Sequence, residues 1–214
     1  MKTNPSRWIQ GARTVAFMFV LTVLFGAAVS ALQVFTQPLV ERNATLFLKR
    51  AVREAAGLPQ LADTELQGWY TQAVTGFPAD ARPPVCYRVA GPDGKAVGYV
   101  FVRSGAGLWG QITVAVGVDA MRPELLGLSV LDQNETPGLG ARIAEPWFRL
   151  QVRGKRAPLR LVPEKTRADD PLQMDAITGA TITSTAVRDI LNRTLAESTN
   201  AVLQAEGSLT HGHR

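Results

Sequence analysis

Hydrophobic and polar positions give the chain three successive textures. From Thr14 to Val40 no charged residue occurs, and Val15–Leu32 is dominated by Val, Phe, Leu and Ala. A helix rises about 1.5 Å per residue, so about 20 apolar residues cross a hydrocarbon core. The run therefore predicts one transmembrane helix over residues 14–36. Leu39–Ala56 then turns amphipathic, with Leu46, Leu48, Ala51, Val52 and Ala55 at three- and four-residue spacings. That pattern predicts a helix continuing from the span and stopping at Gly57 and Pro59. A second helix is expected over Thr64–Val74, ending near Gly76 and Pro78.

Beyond the proline-rich stretch Ala81–Pro84 the period shortens to that of strands. Val85–Val89 and Ala96–Val102 flank the turn Gly91-Pro92-Asp93-Gly94 and read as a hairpin. Gly105-Ala106-Gly107 breaks the chain. Trp109–Val118 places Ile112, Val114, Val116 and Val118 on one face of a third strand, and Leu125–Leu131 is a fourth. Pro146–Val152 reads as helical and Leu159–Val162 as a short strand. Thr183–Glu197 forms a last helix with Ala186, Val187, Ile190, Leu191 and Leu195 on its apolar side, and a polar tail after Ala201 is expected to fray. The fold class is α+β, an antiparallel sheet with helices on one side, preceded by one N-terminal transmembrane helix. The expected divisions are a basic tip (1–13), the span (14–36), a helical connector (37–80), the main domain (81–200) and the tail (201–214).

Charge orients this plan. Lys2, Arg7 and Arg13 precede the apolar run, and every acidic residue follows it, beginning with Glu41. The excess of cations puts the N-terminus in the cytoplasm and the domain on the extracytoplasmic side of the inner membrane. Small residues at Ala28-Val29-Ser30-Ala31 also suit a cleaved signal peptide, although the run exceeds the roughly 7–15 apolar residues of such a peptide. Beyond the span, 20 basic residues face 18 acidic ones, scattered rather than striped, which weighs against nucleic acid as a partner. Cys86 is the only cysteine, so the chain has neither an internal disulfide nor a cysteine cluster for iron–sulfur or zinc, and a small buried apolar role is expected for it. His211 and His213 fall in the tail and read as solvated rather than metal-binding. No dinucleotide fingerprint follows a strand, so NADH binding is not expected.

The candidate chemistry concentrates in Asp175-Ala176-Ile177-Thr178-Gly179-Ala180-Thr181-Ile182-Thr183-Ser184. A hydroxyl-rich turn of small residues running into a helix offers unpaired backbone N–H groups and the positive end of the helix dipole, a seat for phosphate. Gly179 and Ala180 permit close backbone approach. Equally, Thr183 or Ser184 alone could serve as an ordinary helix cap and Gly179 as an ordinary turn.

The Asp-x-x-Thr-Gly-Ala-Thr pattern resembles the flavinylation motif of the FMN-binding domain family. The resemblance implies that Thr181 carries FMN through a phosphoester bond, installed by a separate flavin transferase, and that Asp175 belongs to the transferase's recognition signal. Thr178, Gly179, Ala180, Thr183 and Ser184 would then surround the phosphate, with Thr178 an alternative attachment point. Glu135-Thr136-Pro137-Gly138-Leu139-Gly140 is similar to the family's loop that lies against the flavin. On that reading Glu135 and Thr136 belong to the binding loop, Gly138 and Gly140 let backbone approach the ring, and Leu139 packs on its face. Glu135 read alone is an ordinary surface carboxylate. Gly107-Leu108-Trp109 resembles a family stretch before a strand, whereas Trp109 read alone is a core aromatic. The motifs cover roughly residues 85–200.

Two branches of the family share this plan, the G subunits of Rnf electron-transport complexes and the C subunits of sodium-pumping NADH:quinone oxidoreductases (Nqr). The resemblance implies an electron-carrying subunit partnered by other membrane subunits of an Rnf- or Nqr-type complex, without a catalytic constellation of its own. Gly107-Leu108-Trp109 and Glu145-Pro146-Trp147 lean toward Nqr, but chain length favours the Rnf branch, which is the expected one, with Nqr as the alternative. A stand-alone exported flavoprotein reductase and a non-redox anchored binding domain are the rival readings.

Overall fold

The computed structural model describes residues 5–77, 86–166 and 169–211, with side chains from residue 11 to residue 198. Lys2, the stretch 81–84, the first residue of the expected hairpin (Val85) and His213 lie outside them. The chain divides into two compact units, Met1–Thr45 and Leu46–Arg214.

The first unit is helical. It holds most of α1 (Pro5–Ala55), and within α1 lies the one helix among the described residues that is long and apolar enough to cross a membrane. Phe17, Phe19, Leu24, Phe25, Leu32 and Phe35 are all exposed, so the apolar surface is not consumed by packing within the protein. Thr22 and Thr36 return their hydroxyls to the carbonyls of Met18 and Leu32, each at 2.9 Å, which leaves no polar hydrogen of theirs facing outward.

The second unit is built on a five-stranded antiparallel sheet in the order β1 (Val74–Phe77), β2 (Cys86–Ala90), β3 (Ala96–Ala106), β4 (Gln111–Asp119) and β5 (Leu125–Asp132). Alternation of side chains across each strand splits the core in two. Tyr99, Phe101, Ile112, Val114, Val116 and Leu128 point to one face. There they meet α4 (Thr181–His211) through Val187, Ile190, Leu191 and Leu195, and α3 (Pro146–Leu150) through Phe148. This is the helical layer that the sequence pattern anticipates. The connector supplies cover for the other face as well. Tyr87, Val89, Val100 and Ala115 pack against Ala51, Val52, Ala55 and Ala56 at the end of α1, with Trp69 and Tyr70 of α2 (Asp63–Ala73) beside them.

The close seat of α1 depends on two glycines. Gly117 and Gly127 are paired across β4 and β5. A Cβ at Gly127 would lie 2.8 Å from the Glu54 carbonyl oxygen, and one at Gly117 would collide with the Ala55 carbonyl. The Glu54 carboxylate accepts the Ser129 hydroxyl at 2.7 Å and pairs with Arg149, tying α1 to β5 and α3.

Several boundaries differ from the sequence pattern. β1 follows α2 directly, a four-residue strand whose Gly76 masked it. β3 continues through Gly105 to Ala106, so the turn falls at residues 107–110 and Trp109 lies in it rather than on β4. A short parallel pair, β6 (Arg160–Val162) and β7 (Gln173–Asp175), adds a second sheet whose later strand is too short to show a period. α4 runs to His211 where the sequence pattern predicts a frayed tail, because Ala201–Glu206 contains good helix formers and no proline. Cys86 is buried, and burial pushes its thiol up to about 12 against the opposing pull of Arg103, which keeps it protonated.

Substituting Gly117→Ala should lower stability by about 1–3 kcal/mol, because the facing atom is backbone and cannot swing away. Gly68→Ala, on an open face of α2, should be neutral or stabilising by about 0.5–1 kcal/mol. Thermal unfolding of the two variants beside the parent measures both.

Candidate functional site

The site is assembled from three loops that meet at the start of α4. Thr181 is the first residue of α4, and the Ser184 N–H already bonds the Ala180 carbonyl at 3.0 Å. The N–H groups of Thr181, Ile182 and Thr183 therefore have no acceptor within the helix. The preceding turn is fastened at each step. Ala176 N–H bonds the Val162 carbonyl at 2.8 Å, Ile177 N–H bonds the Ser184 hydroxyl oxygen at 2.9 Å, and Thr178 N–H bonds Glu164 Oε2 at 2.7 Å. Gly179 has φ of +77°, a conformation that favours glycine, and a Cβ there would sit 3.1 Å from Leu139 Cδ2.

The four hydroxyls between Thr178 and Ser184 have different fates. Ser184 is fully buried and donates to the Ala180 carbonyl at 3.0 Å. Thr183 is buried and donates to Glu135 Oε2 at 2.5 Å. Thr178 is exposed but lies against the Glu164 carboxylate. Thr181 is exposed, and its hydroxyl makes no hydrogen bond among the described residues.

Glu135 is buried at 5% exposure, not on the surface. Its Oε1 accepts the N–H groups of Leu108 at 2.8 Å and Trp109 at 3.1 Å, while its Oε2 takes the Thr183 hydroxyl. One carboxylate thus joins the β3–β4 turn, its own loop and the first turn of α4. Gly140 packs on this junction: a Cβ there would lie 2.7 Å from both Glu135 Oε2 and Thr183 Oγ1. Its smallness serves that packing. Gly138, at φ of +74° with open space around it, makes the turn that leads to Leu139, and Thr136 accepts the N–H groups of Leu139 and Ala141 through its carbonyl, each at 3.1 Å. The result is an exposed apolar rim of Leu108 (51%), Trp109 (69%), Leu139 (43%) and Ile182 (58%). Trp109 is thus not a core aromatic.

A cleft of about 660 Å³ borders the other side of the turn, lined by Trp147, Gln151, Lys155, Glu164 and Asp175 among others. Asp175, at the end of β7, is buried, and its N–H and carbonyl are both held by the Gln151 side chain at 2.7 and 3.1 Å. Arg142 grips Glu164 with two N–H groups at 2.7 and 3.2 Å, contacts Glu145 at 3.4 Å and lies 5.4 Å from the Trp147 ring centre. The Arg142 guanidinium, with help from Thr178, pulls the Glu164 carboxyl down to about 2, so it stays charged at any working pH. Arg142, Glu164 and Gln151 carry no motif signal, and only the fold brings them to the turn. Among the described residues no group of three or more His, Cys, Asp or Glu side chains is placed to hold a metal.

The residues present fit a flavin mononucleotide. The exposed Thr181 hydroxyl and the unpaired N–H groups beside it suit a phosphate, and the apolar rim suits a flat aromatic ring. Ala180 is buried beneath the turn, and Gly179 leaves the gap that Leu139 enters.

Residues 107–196 match the FMN-binding domain family. The G subunit of an ion-translocating oxidoreductase complex from Methanosarcina acetivorans is 32% identical over 186 residues, covering 85% of this chain and 93% of that protein. The C subunit of the Na(+)-translocating NADH-quinone reductase of Yersinia pestis is 32% identical over 134 residues, covering 59% of this chain and 50% of that relative. The chain thus spans half the length of the Yersinia relative and nearly all of the Methanosarcina one. The crystal structure of the equivalent C subunit from Parabacteroides distasonis is similar in fold, with a TM-score of 0.63 at 21% identity over 78% of this chain and 96% of that one.

Two measurements test this geometry. Glu135→Ala strands two N–H groups and a hydroxyl and should cost roughly 2–4 kcal/mol in chemical denaturation, with Glu135→Gln milder because it keeps one acceptor. Because the Glu164 pKa is depressed on folding, its contribution is present above about 4.5 and is lost as pH falls toward about 2. Acid unfolding of Glu164→Gln should therefore lack the part of the parent's decline that falls in this window.

Proposed function

For a chain that belongs to the family of FMN-binding subunits of ion-translocating oxidoreductases, we propose the role of a membrane-anchored electron carrier with FMN esterified to Thr181. The observation that carries this reading is the exposed, unbonded Thr181 hydroxyl at the start of α4, where its three neighbouring hydroxyls are buried or held. FMN, when bound, supplies the one- and two-electron chemistry. The chain supplies position. The N–H groups of Ile182 and Thr183 would hold the phosphate oxygens and Leu139 and Trp109 would flank the ring, while Glu135 keeps Trp109 and α4 in register. Thr136, Gly138 and Gly140 shape the loop that carries Leu139. Asp175, on the wall of the cleft, is the residue through which a flavin transferase recognises the segment during maturation.

The near full-length match to the Methanosarcina G subunit supports an Rnf-type complex over an Nqr-type one. The other membrane subunits of such a complex are then the partners of α1, and Gly26, Ala27, Ala28 and Ser30 permit close helix contact. Arg7 and Arg13 before the span favour an N-terminus in the cytoplasm and an FMN domain on the extracytoplasmic side.

The test is an intact mass of the full chain co-expressed with a flavin transferase in an exporting host. The parent should gain the mass of one FMN ester, localised by fragmentation to Thr181. Thr181→Ala should gain none while melting like the parent, and Thr183→Ala should stay flavinylated. An unmodified parent, beside a control substrate modified in the same cells, rejects the covalent reading.

A further inference from the structure

We propose that Glu164 makes flavin attachment selective for Thr181 by denying the same chemistry to Thr178. The inference rests on the covalent reading above. Transfer joins the oxygen of an accepting hydroxyl to the FMN phosphorus of an activated flavin dinucleotide. The bond from that phosphorus to the departing nucleoside monophosphate breaks, the hydroxyl proton passes to solvent, and nothing is oxidised or reduced. Any exposed hydroxyl on this turn is chemically eligible.

Burial removes two of the four. Thr183 and Ser184 have 1% and 0% exposure, and both hydroxyls are donated internally. Thr178 and Thr181 remain, the same residue type, three positions apart, both exposed. They differ in what surrounds the oxygen. Thr181 stands at the positive end of α4 with unpaired N–H groups nearby, which stabilise the charged oxygens of an arriving phosphoryl group. At Thr178 the corresponding N–H is already taken by Glu164 Oε2 at 2.7 Å, and the side chain lies against that same carboxylate. A phosphoryl group approaching Thr178 would meet a fixed negative charge where Thr181 offers N–H donors.

Glu164 is held to this task. Its side chain is 10% exposed, and Arg142 grips it with two N–H groups while being itself anchored by Glu145. Glu145 also accepts the Trp147 indole N–H at 2.5 Å. A neutral acceptor would also take the Thr178 N–H, through a weaker bond, so fastening the turn does not by itself call for a carboxylate. The charge bears instead on what comes near the Thr178 oxygen, a device that acts by repelling the wrong outcome.

The test uses the full chain co-expressed with a flavin transferase and reads adduct position by fragmentation. Glu164→Gln keeps an acceptor for Thr178 N–H and removes the charge. Thr181→Ala should carry almost no flavin. Combining Thr181→Ala with Glu164→Gln, or with Glu164→Ala, should raise the Thr178 adduct by about tenfold or more over Thr181→Ala alone. Glu164→Gln alone should retain flavin on Thr181 and show a second fraction on Thr178. The proposal is overturned if both double variants lack a Thr178 adduct while Glu164→Gln still carries flavin on Thr181. It is overturned equally if Glu164→Gln loses flavin altogether, which would make Glu164 a support of the turn. A parent chain without flavin removes the Thr181 ester itself, a pattern distinct from the other two.

Discussion

The Glu135 carboxylate is the constraint on which the site depends. It lies between three segments that are remote in sequence and gives each an acceptor: Leu108 and Trp109 through their N–H groups, and Thr183 through its hydroxyl. Charge-assisted bonds in a buried setting are stronger than neutral ones, and an unpaired buried carboxylate would be costly, so each partner strengthens the hold on the other two. That coupling explains the glycines around it. Gly140 has no room for a side chain against Glu135 and Thr183, and a Cβ at Gly107 would likewise strike the Glu135 carboxylate. Two glycines that could be taken for flexibility are instead the condition for a tight polar junction.

The sheet gives this junction a rigid base. Its inner face is filled by α4 and α3, and the start of α4 is where the proposed phosphate seat lies. Its outer face is closed by the last residues of α1 over Gly117 and Gly127. The Glu54 carboxylate, bonded to Ser129 and Arg149, carries that closure through to α3. The glycine floor is thus linked, through Glu54 and Arg149, to the helix that follows the Glu135 loop.

The strands from Ala96 onward and the helix after Thr181 were legible because their periods are long and strong. Ile112, Val114, Val116 and Val118 do share one face, and Val187, Ile190, Leu191 and Leu195 do line the core. β1 and β7 were not legible, since four and three residues carry no period that distinguishes strand from loop. At the site, the hydroxyl-rich turn and the loop from Glu135 to Gly140 could be picked out by residue type. Their contact through Thr183 could not, because nothing local links positions 48 residues apart. Read alone, without the loop it shares with Gly138 and Gly140, Glu135 is a surface carboxylate and Trp109 a core aromatic, and the structure buries the first and exposes the second for one reason. Donating its N–H to a buried acid fixes the Trp109 backbone inside and leaves its ring outside. Arg142 and Glu164 gave no signal, because an ion pair spanning 22 residues is a property of the fold.

The shape of the site bears on why an ester would be used at all. Ligands of this size held without covalent bonds are usually enclosed, with most of their surface removed from water. Here the rim residues Leu108, Trp109, Leu139 and Ile182 are each more than two-fifths exposed, and Thr181 faces out. Such a rim can orient a ring but offers limited area to retain it, and retention by area alone would demand burial that also hinders electron exchange with a partner. A phosphoester separates the two requirements. Attachment would keep the effective concentration of the flavin high at any dilution without asking the rim for that area. The turn before Thr181 is fastened by Glu164, Val162 and Ser184, while the Thr181 hydroxyl is left exposed, as the proposed ester requires.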